Sequence, residues 1–482
     1  MRQSQYTRVL SLIKTLYEAQ TVGLYADCQE GAMQIGHCIE ENAGEETRTV
    51  ADLEAYCELL YTVSIGETEP DTLLTQLKKV EDTFRDEFVP KIEMAFISYN
   101  ASMADSMESI YLAANADENC DAYFIPVPCY GRNADGSLAN MKYERSNRDY
   151  DGIETTSYLS YNLDTHHPDI IFTNNPYDNG NRVTCVHPNY FTNELKKHTE
   201  MLCYVPYFLP LETDGTRLAQ IISSKSFDFV AAVSESDRQI YLSAGTQAEV
   251  VALGSAKIDK LFQQMQVTSD IPGTWQNSIP NIRQKKNLAL VSSLGDFLKQ
   301  SELYLDRLEE YVSTVERRHD IALIFRPHPL MAATIDSMCG PAIRARYDSL
   351  LERIDNGTFG MVDHEASFYP LIHHADLFAG ELYSTLARMY ALTGKPILET
   401  SVHRPDHSSA LRGGYLRYNY LETQAFSLKT FLDMFVSGEI LPYDAEQAEY
   451  ARSMYANCDG TAGRQIYEYV KAKALHTGGH HE

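Results

Sequence analysis

The chain has no run approaching the roughly 18 consecutive apolar residues of a membrane-spanning helix. Its opening residues, MRQSQYTRVLSLIKTLYEAQ, alternate charge with apolar positions and lack the apolar core of a signal peptide. Basic residues are in the minority, 41 Lys and Arg against 67 Asp and Glu, a formal net charge of −26. A balance of that sign argues against a nucleic-acid partner, and no block of Lys and Arg offers itself to anionic lipid. The nine cysteines are scattered without a C-x-x-C pair, and their odd number leaves at least one thiol unpaired in any intramolecular scheme. Metal-ligand spacing is also missing. His166 with His167 and His373 with His374 are adjacent, so their side chains diverge; the tail HTGGHHE reads as a solvated end; and the one Asp-x-Asp, Asp149 with Asp151, has no strand before it. These absences predict a cytoplasmic protein with reduced thiols and no metal or other cofactor.

What is present is enough for more than one core: 482 residues, 44% of them apolar. Residues 1–89 carry apolar positions at three-and-four spacing and read as an all-helical module for packing or homo-oligomerisation, with Thr49 a candidate cap for its third helix. Residues 90–267 alternate short apolar strands with helices, the mark of a parallel, doubly wound sheet. A loop rich in Pro, Asn, Ser and Gly then opens a second α/β stretch, 268–482, which ends in helices. The expected class is therefore α/β, two Rossmann-like domains facing a cleft behind a helical N-terminal segment.

The segment from Ile321 to Met331, IALIFRPHPLM, carries the sharpest chemical signal. Five apolar residues suit a strand covered on both faces, and ligands of open α/β sheets sit beyond the carboxyl ends of such strands. Arg326 and His328 stand there, the arginine a fixed cation able to grip phosphate as a fork and the histidine restrained between two prolines. A stiff strand-to-helix turn whose arginine pairs with a carboxylate elsewhere accounts for the segment equally well. Further on, ADLFAGELYSTLARMYALTGKP reads as a strand, a Gly380 turn and a helix opened by Ser384 and Thr385, whose hydroxyls serve either a phosphate or simple N-capping. Asn174, Asn175, Tyr177 and Asp178 end the strand DIIFTNNPYD, where a crevice residue or an ordinary turn belongs.

Several of these pieces, in their order and spacing from about Lys91 to Tyr469, resemble the CDP-glycerol glycerophosphotransferase-like family, which includes the enzymes that build teichoic acid chains. They are SYNASMADSMESIYLAA, FIPVPCYGRNADGS, HHPDIIFTNNPYD, VTCVHPNYFTNELKKHTE, VALGSAKIDKL, FRPHPLMAATIDSM, HHADLFAGELYST through TGKPILE, and DGTAGRQIYEYV. The resemblance implies the glycosyltransferase-B architecture and a metal-independent reaction. An acceptor hydroxyl attacks the β-phosphorus of a CDP-alditol, glycerol phosphate moves, and CMP leaves. Arg326 would neutralise the diphosphate and His328 hydrogen-bond or protonate the departing phosphate, both matching the family's R-x-H-P pattern. His187 would be the base, with Lys196 or Lys197 echoing a nearby family lysine, and Lys257 would match the lysine of a Gly-Ser-Pro-Lys element.

Three departures stand out: Glu381 takes the place of an aspartate, no glycine follows His187, and Ala256 replaces the proline after Gly254 and Ser255. The helix that DGTAGRQIYEYV opens reads as structural, with Asp459, Gly460 and Arg464 as outside candidates for donor contact. The acceptor stays open between a lipid-linked one, reached by a partner-mediated visit to the inner membrane face, and a soluble one. Two other readings remain: a sugar transferase or UDP-sugar epimerase on the same architecture, and a non-catalytic nucleotide-binding or assembly protein.

Overall fold

A computed structural model describes the chain except residues 45, 134, 145–149, 151–152, 182–183, 211, 268, 382–383, 405–411, 414–417 and 478–482. Asp149, Asp151 and the last residues of the histidine-rich tail therefore lie outside the described residues. Four helices come first: α1 (Gln3–Thr21), α2 (Tyr25–Ala43), α3 (Arg48–Ser64) and α4 (Asp71–Glu87). Their apolar stripes, among them Val9, Ile13 and Leu16 on α1 and Leu77, Val80 and Phe84 on α4, close on one another as a separate core. The cap of α3 is Thr47, not Thr49: an N-cap needs extended backbone, which Thr47 has, and its hydroxyl accepts from Val50 N–H at 3.2 Å. Thr49 lies inside the first turn and donates to Glu87 of α4 instead. Arg2 ties this module to the next domain, reaching Glu93 and the carbonyl of His166.

The first α/β domain holds β1 (Ile92–Ser98), β2 (Cys120–Pro126), β3 (Cys129–Arg132), β4 (Leu138–Lys142), β5 (Ile170–Thr173), β6 (Thr184–Val186), β7 (Met201–Tyr204), β8 (Phe229–Ala232) and β9 (Glu249–Ala252). Six form a parallel sheet in the order β2-β1-β5-β7-β8-β9, while β4-β3-β6 make a small antiparallel sheet beyond its carboxyl edge. Successive residues of β1 enter opposite cores, Met94 and Phe96 on one face, Ala95 and Ile97 on the other, as a doubly covered sheet requires.

The second domain holds β10 (Lys286–Val291), β11 (Ile321–Arg326), β12 (Gly360–Val362), β13 (Leu377–Gly380), β14 (Ile397–Glu399), β15 (Arg412–Gly413) and β16 (Asn419–Leu421) in the order β12-β11-β10-β13-β14-β16-β15. Among the described strands of this sheet, β15 alone runs antiparallel. The order reverses between β10 and β13, where a doubly wound sheet opens its ligand crevice. A linker helix, Ala256–Gln266, joins the domains. The last helix, Ala462–Thr477, leaves the second domain and returns to the first, because Ile466, Tyr467 and Val470 complete the core around Ile110 and Ala114.

Two contacts turn the carboxyl edges of the sheets toward one another. Leu209 N–H, beyond β7, donates to Thr385 Oγ1, beyond β13, at 3.3 Å. The Tyr369 hydroxyl, beyond β12, donates to Asp105, beyond β1, at 2.7 Å. Among the described residues no helix is long and apolar enough to cross a membrane.

Candidate functional site

Register aligns the carboxyl edge of the second sheet. Val291 pairs with both Arg326 and Gly380, and Gly380 pairs with Glu399, so the residues just beyond them meet in one crevice. A Cβ at Gly380 would stand 2.6 Å from the Val291 carbonyl, so a side chain there would push β10 and β13 apart at this point. Leu290, Val291, Ser292, Asp296, Tyr304 and Glu381 are among the residues lining the cavity at the β10 and β13 ends.

His328 is anchored here on both sides. Its N–H donates to Ser292 Oγ at 3.1 Å, and its Nδ1 accepts from Leu330 N–H at 3.1 Å. With Nδ1 an acceptor, the neutral ring carries its proton on Nε2, and burial lowers the imidazole's pKa, which favours that neutral form. His328 is thus a neutral N–H donor. Glu381 is buried and receives the Ser293 hydroxyl; burial pushes its carboxyl above the ordinary range, while Ser293 pulls the other way. Ser384 caps the helix Thr385–Ala391, its oxygen accepting from Ala387 N–H at 3.1 Å, and Thr385 Oγ1 receives Leu209 N–H from the other domain. Both hydroxyl protons remain able to donate.

Arg326 stands at the same edge with its guanidinium engaged. Nη1 meets Asp363 Oδ2 at 2.7 Å and Nη2 the Glu365 carbonyl at 2.9 Å, and the side chain is 12% exposed. Lys257 is 3% exposed and holds both oxygens of Asp105 at 2.5 Å, with its ammonium 5.2 Å over the Phe368 ring. Each cation expected at phosphate thus has a carboxylate partner.

On the first domain, His187 follows β6 in the small antiparallel sheet, on the carboxyl side of the parallel one. Its N–H donates to the Pro128 carbonyl, its Nδ1 accepts from Asn189 N–H at 3.3 Å, and Tyr130 and Tyr190 flank the ring. Lys196 and Lys197 do not join it: they pair with Asp228 and Glu194, and Asp228 precedes β8, at the opposite edge. Asn174 is fully buried at the end of β5, donating to Met103 O and Ser106 Oγ, and Asn175 accepts from Tyr177 N–H. Asp178 fastens Thr192, through N–H and hydroxyl, to Lys225. In the DGTAG segment Asp459 accepts from Thr461, Arg464 pairs with Glu468, and Asp259 of the linker helix caps the last helix through the N–H groups of Ala462 and Gly463.

The structure therefore places His328 beyond β11, Glu381, Ser384 and Thr385 beyond β13, and His187 beyond β6 of the first domain. It adds Ser292 and Ser293, which the sequence reading passed over although they end an apolar strand as Arg326 does. Among the described residues no group of three or more His, Cys, Asp or Glu is placed to hold a metal ion.

No protein-family model matches the chain, and no curated protein matches it in sequence. Solved structures do. A Listeria monocytogenes protein assigned as a UDP-N-acetylglucosamine 2-epimerase is similar over 80% of this chain and 96% of its own, at 14% identity and a TM-score of 0.51. The UDP complex of S. aureus MnaA is similar over 79% and 96%, at 12% identity and a TM-score of 0.50. The wall teichoic acid polymerase TagF is similar over 89% and 99%, at 14% identity and a TM-score of 0.47. The first two likenesses show the fold, two Rossmann-like domains about a cleft in the glycosyltransferase-B manner.

Proposed function

We propose that this chain transfers glycerol phosphate, or a related alditol phosphate, from a CDP-alditol to an acceptor hydroxyl. The observation that carries the reading is the carboxyl edge of the second sheet, where His328 beyond β11 is tied to Ser292 beyond β10 and the Ser384–Thr385 helix start follows β13. Neutral donors suit a diphosphate: Nε2–H of His328 and the serine and threonine hydroxyls point partial positive charge at phosphate oxygens, and the helix start adds its N–H groups. In the step proposed, the acceptor oxygen forms a bond to the β-phosphorus and its proton passes to Nδ1 of His187, which releases the Asn189 N–H to take it. The bond from that phosphorus to the CMP oxygen breaks, and His328 stabilises the leaving phosphate by hydrogen bond. Lowering of its pKa by burial makes that role fit better than proton donation.

Thermal shift with CMP, CDP-glycerol, CDP-ribitol, UDP and UDP-N-acetylglucosamine, with and without magnesium, tests the donor class. A ligand at about 100 times its Kd adds roughly 2.7 kcal/mol, a shift of several degrees for a domain. A magnesium-independent shift with the CDP compounds is expected; no shift with any of the five ligands would sink the reading and leave a non-catalytic scaffold.

A UDP-sugar enzyme on the same architecture is the second reading. It is favoured by the fold shared with MnaA, which was solved with UDP. A shift with UDP compounds alone would select it.

A further inference from the structure

Arg326 and Lys257, both expected at phosphate, turn out to be the two ends of one chain of contacts across the cleft. At one end the Arg326 guanidinium spans the loop after β12, touching the Asp363 carboxylate and the carbonyls of Glu365 and Ser367. Asp363 is itself locked, its N–H on the Phe325 carbonyl and its second oxygen accepting from Glu365 N–H. The loop then delivers Phe368 and Tyr369, whose rings pack 4.7 Å apart. Tyr369 donates to Asp105 of the first domain, Asp105 holds Lys257 of the linker helix, and Lys257 lies over Phe368. Three bodies whose relative positions set the cleft, the two domains and their linker, thus meet at one carboxylate. The interdomain groove beside it is lined by Ser102, Asp105 and Tyr150 from one domain and by Ser367, Phe368 and Tyr369 from the other.

We infer that Arg326 is a positioning residue: it fixes the 363–369 loop so that Tyr369 reaches Asp105, and it sets the angle between the domains without gripping the donor phosphate. The physical case is occupancy. A fork that already serves a buried carboxylate and two carbonyls has to abandon all three to take a phosphate, and releasing Asp363, whose side chain is 2% exposed, would strand a buried charge. Domain angle matters to any chemistry that needs groups from both edges, because a misplacement of about 1 Å between reacting groups can cost on the order of 100-fold in rate. The inference does not depend on which donor the crevice takes.

The test uses the full chain in three variants, Arg326→Gln, Arg326→Lys and Tyr369→Phe, and two measurements. Hydrogen exchange without ligand reads the clasp. All three variants are expected to raise exchange at least tenfold in the segments 101–106 and 256–261, with β10 and β11 unchanged. Arg326→Lys keeps a cation but cannot span the carboxylate and the carbonyls, so it is expected to behave as Arg326→Gln. Affinity for whichever nucleotide stabilises the wild type is expected to stay within about threefold in Arg326→Gln. Wild-type exchange in Tyr369→Phe, or a 100-fold loss of nucleotide affinity in Arg326→Gln that Arg326→Lys restores, overturns the inference. If Arg326→Gln does not fold, Tyr369→Phe, which removes one hydroxyl, still decides it. Because the exchange arm needs no ligand, its outcome is separate from failure of the CDP-alditol reading, which shows only as absence of a thermal shift.

Discussion

The N–H of His328 donates to the Ser292 hydroxyl at 3.1 Å, joining the turn after β11 to the turn after β10 across the edge where the second sheet opens. With Nδ1 occupied by Leu330 N–H, the ring presents one group to the crevice, Nε2–H. His328→Leu is expected to lower turnover by roughly 100-fold or more, and His328→Gln, which keeps an N–H donor, by less. Burial lowers the pKa, so the neutral ring persists to below its ordinary value of 6.5 and the acid limb of turnover that it controls lies below that pH. An acid limb centred above pH 7 and abolished in His328→Gln would show that the charged ring is the active form.

His187 stands on the first domain, where Asn189, Tyr130 and Tyr190 surround its ring. His187→Ala is expected to leave the Kd for CDP-glycerol unchanged and to reduce CMP release by roughly 100-fold, since a base acts on the acceptor and not on the donor. Lys196→Ala and Lys197→Ala are expected to keep wild-type turnover, because both lysines serve surface pairs with Asp228 and Glu194. Calorimetry beside a CMP-release assay separates these outcomes; weakened donor binding at unchanged turnover in His187→Ala contradicts its role as base.

The parallel strands were legible because each is a short apolar run between turn residues, and IALIF or NLALV admits little else. The antiparallel β4 was not: LANMK is almost wholly exposed and carries no alternation, so only the turn at Asn133 to Gly136 signalled it. Strand order and the return of the last helix depend on partners far apart in sequence. The same distance hid the fate of Lys257, which as a residue type belongs at the surface but is buried by Asp105, 152 positions away. At the crevice, strand ends located His328 and Ser384, whereas the carboxylate that claims Arg326 sits on another loop and had no local signature.

Asp237 carries a pH signal in stability. It is 4% exposed at the start of the helix Glu235–Ser243, one oxygen accepts from Val233 N–H, and burial pushes its pKa up to about 7 from 3.8. A carboxyl that binds its proton more tightly when folded adds stability in full below its unfolded value, and this is lost as pH rises through the folded one. The window is therefore about pH 4 to 7, and each tenfold change in proton affinity is worth about 1.4 kcal/mol. Asp237→Asn keeps an acceptor for Val233 and offers an N–H₂ toward the neighbouring buried hydroxyls of Tyr204 and Tyr241. The variant is expected to match wild type in Tm near pH 4 and to exceed it by several degrees at pH 8. A constant difference across that range would mean that Asp237 does not titrate on folding.

Gly463 tests whether the last helix holds the first domain together. Its N–H donates to Asp259 at 2.7 Å, and a Cβ there would stand 2.0 Å from Ser109 Oγ and 2.7 Å from the Ser109 backbone carbon. The helix start must approach Ser109 this closely for Ile466, Tyr467 and Val470 to enter the core beside Ile110 and Ala114. Gly463→Ala is expected to cost about 1–3 kcal/mol, the range for forcing an extra methyl into packed space. Exchange should rise over residues 462–475 while α1 to α4 keep their protection, since that module has its own core. Adding Ser109→Gly removes the nearer obstacle but leaves the backbone carbon, so recovery should be partial. Full stability in Gly463→Ala alone would mean that the helix docks with more room than this spacing allows.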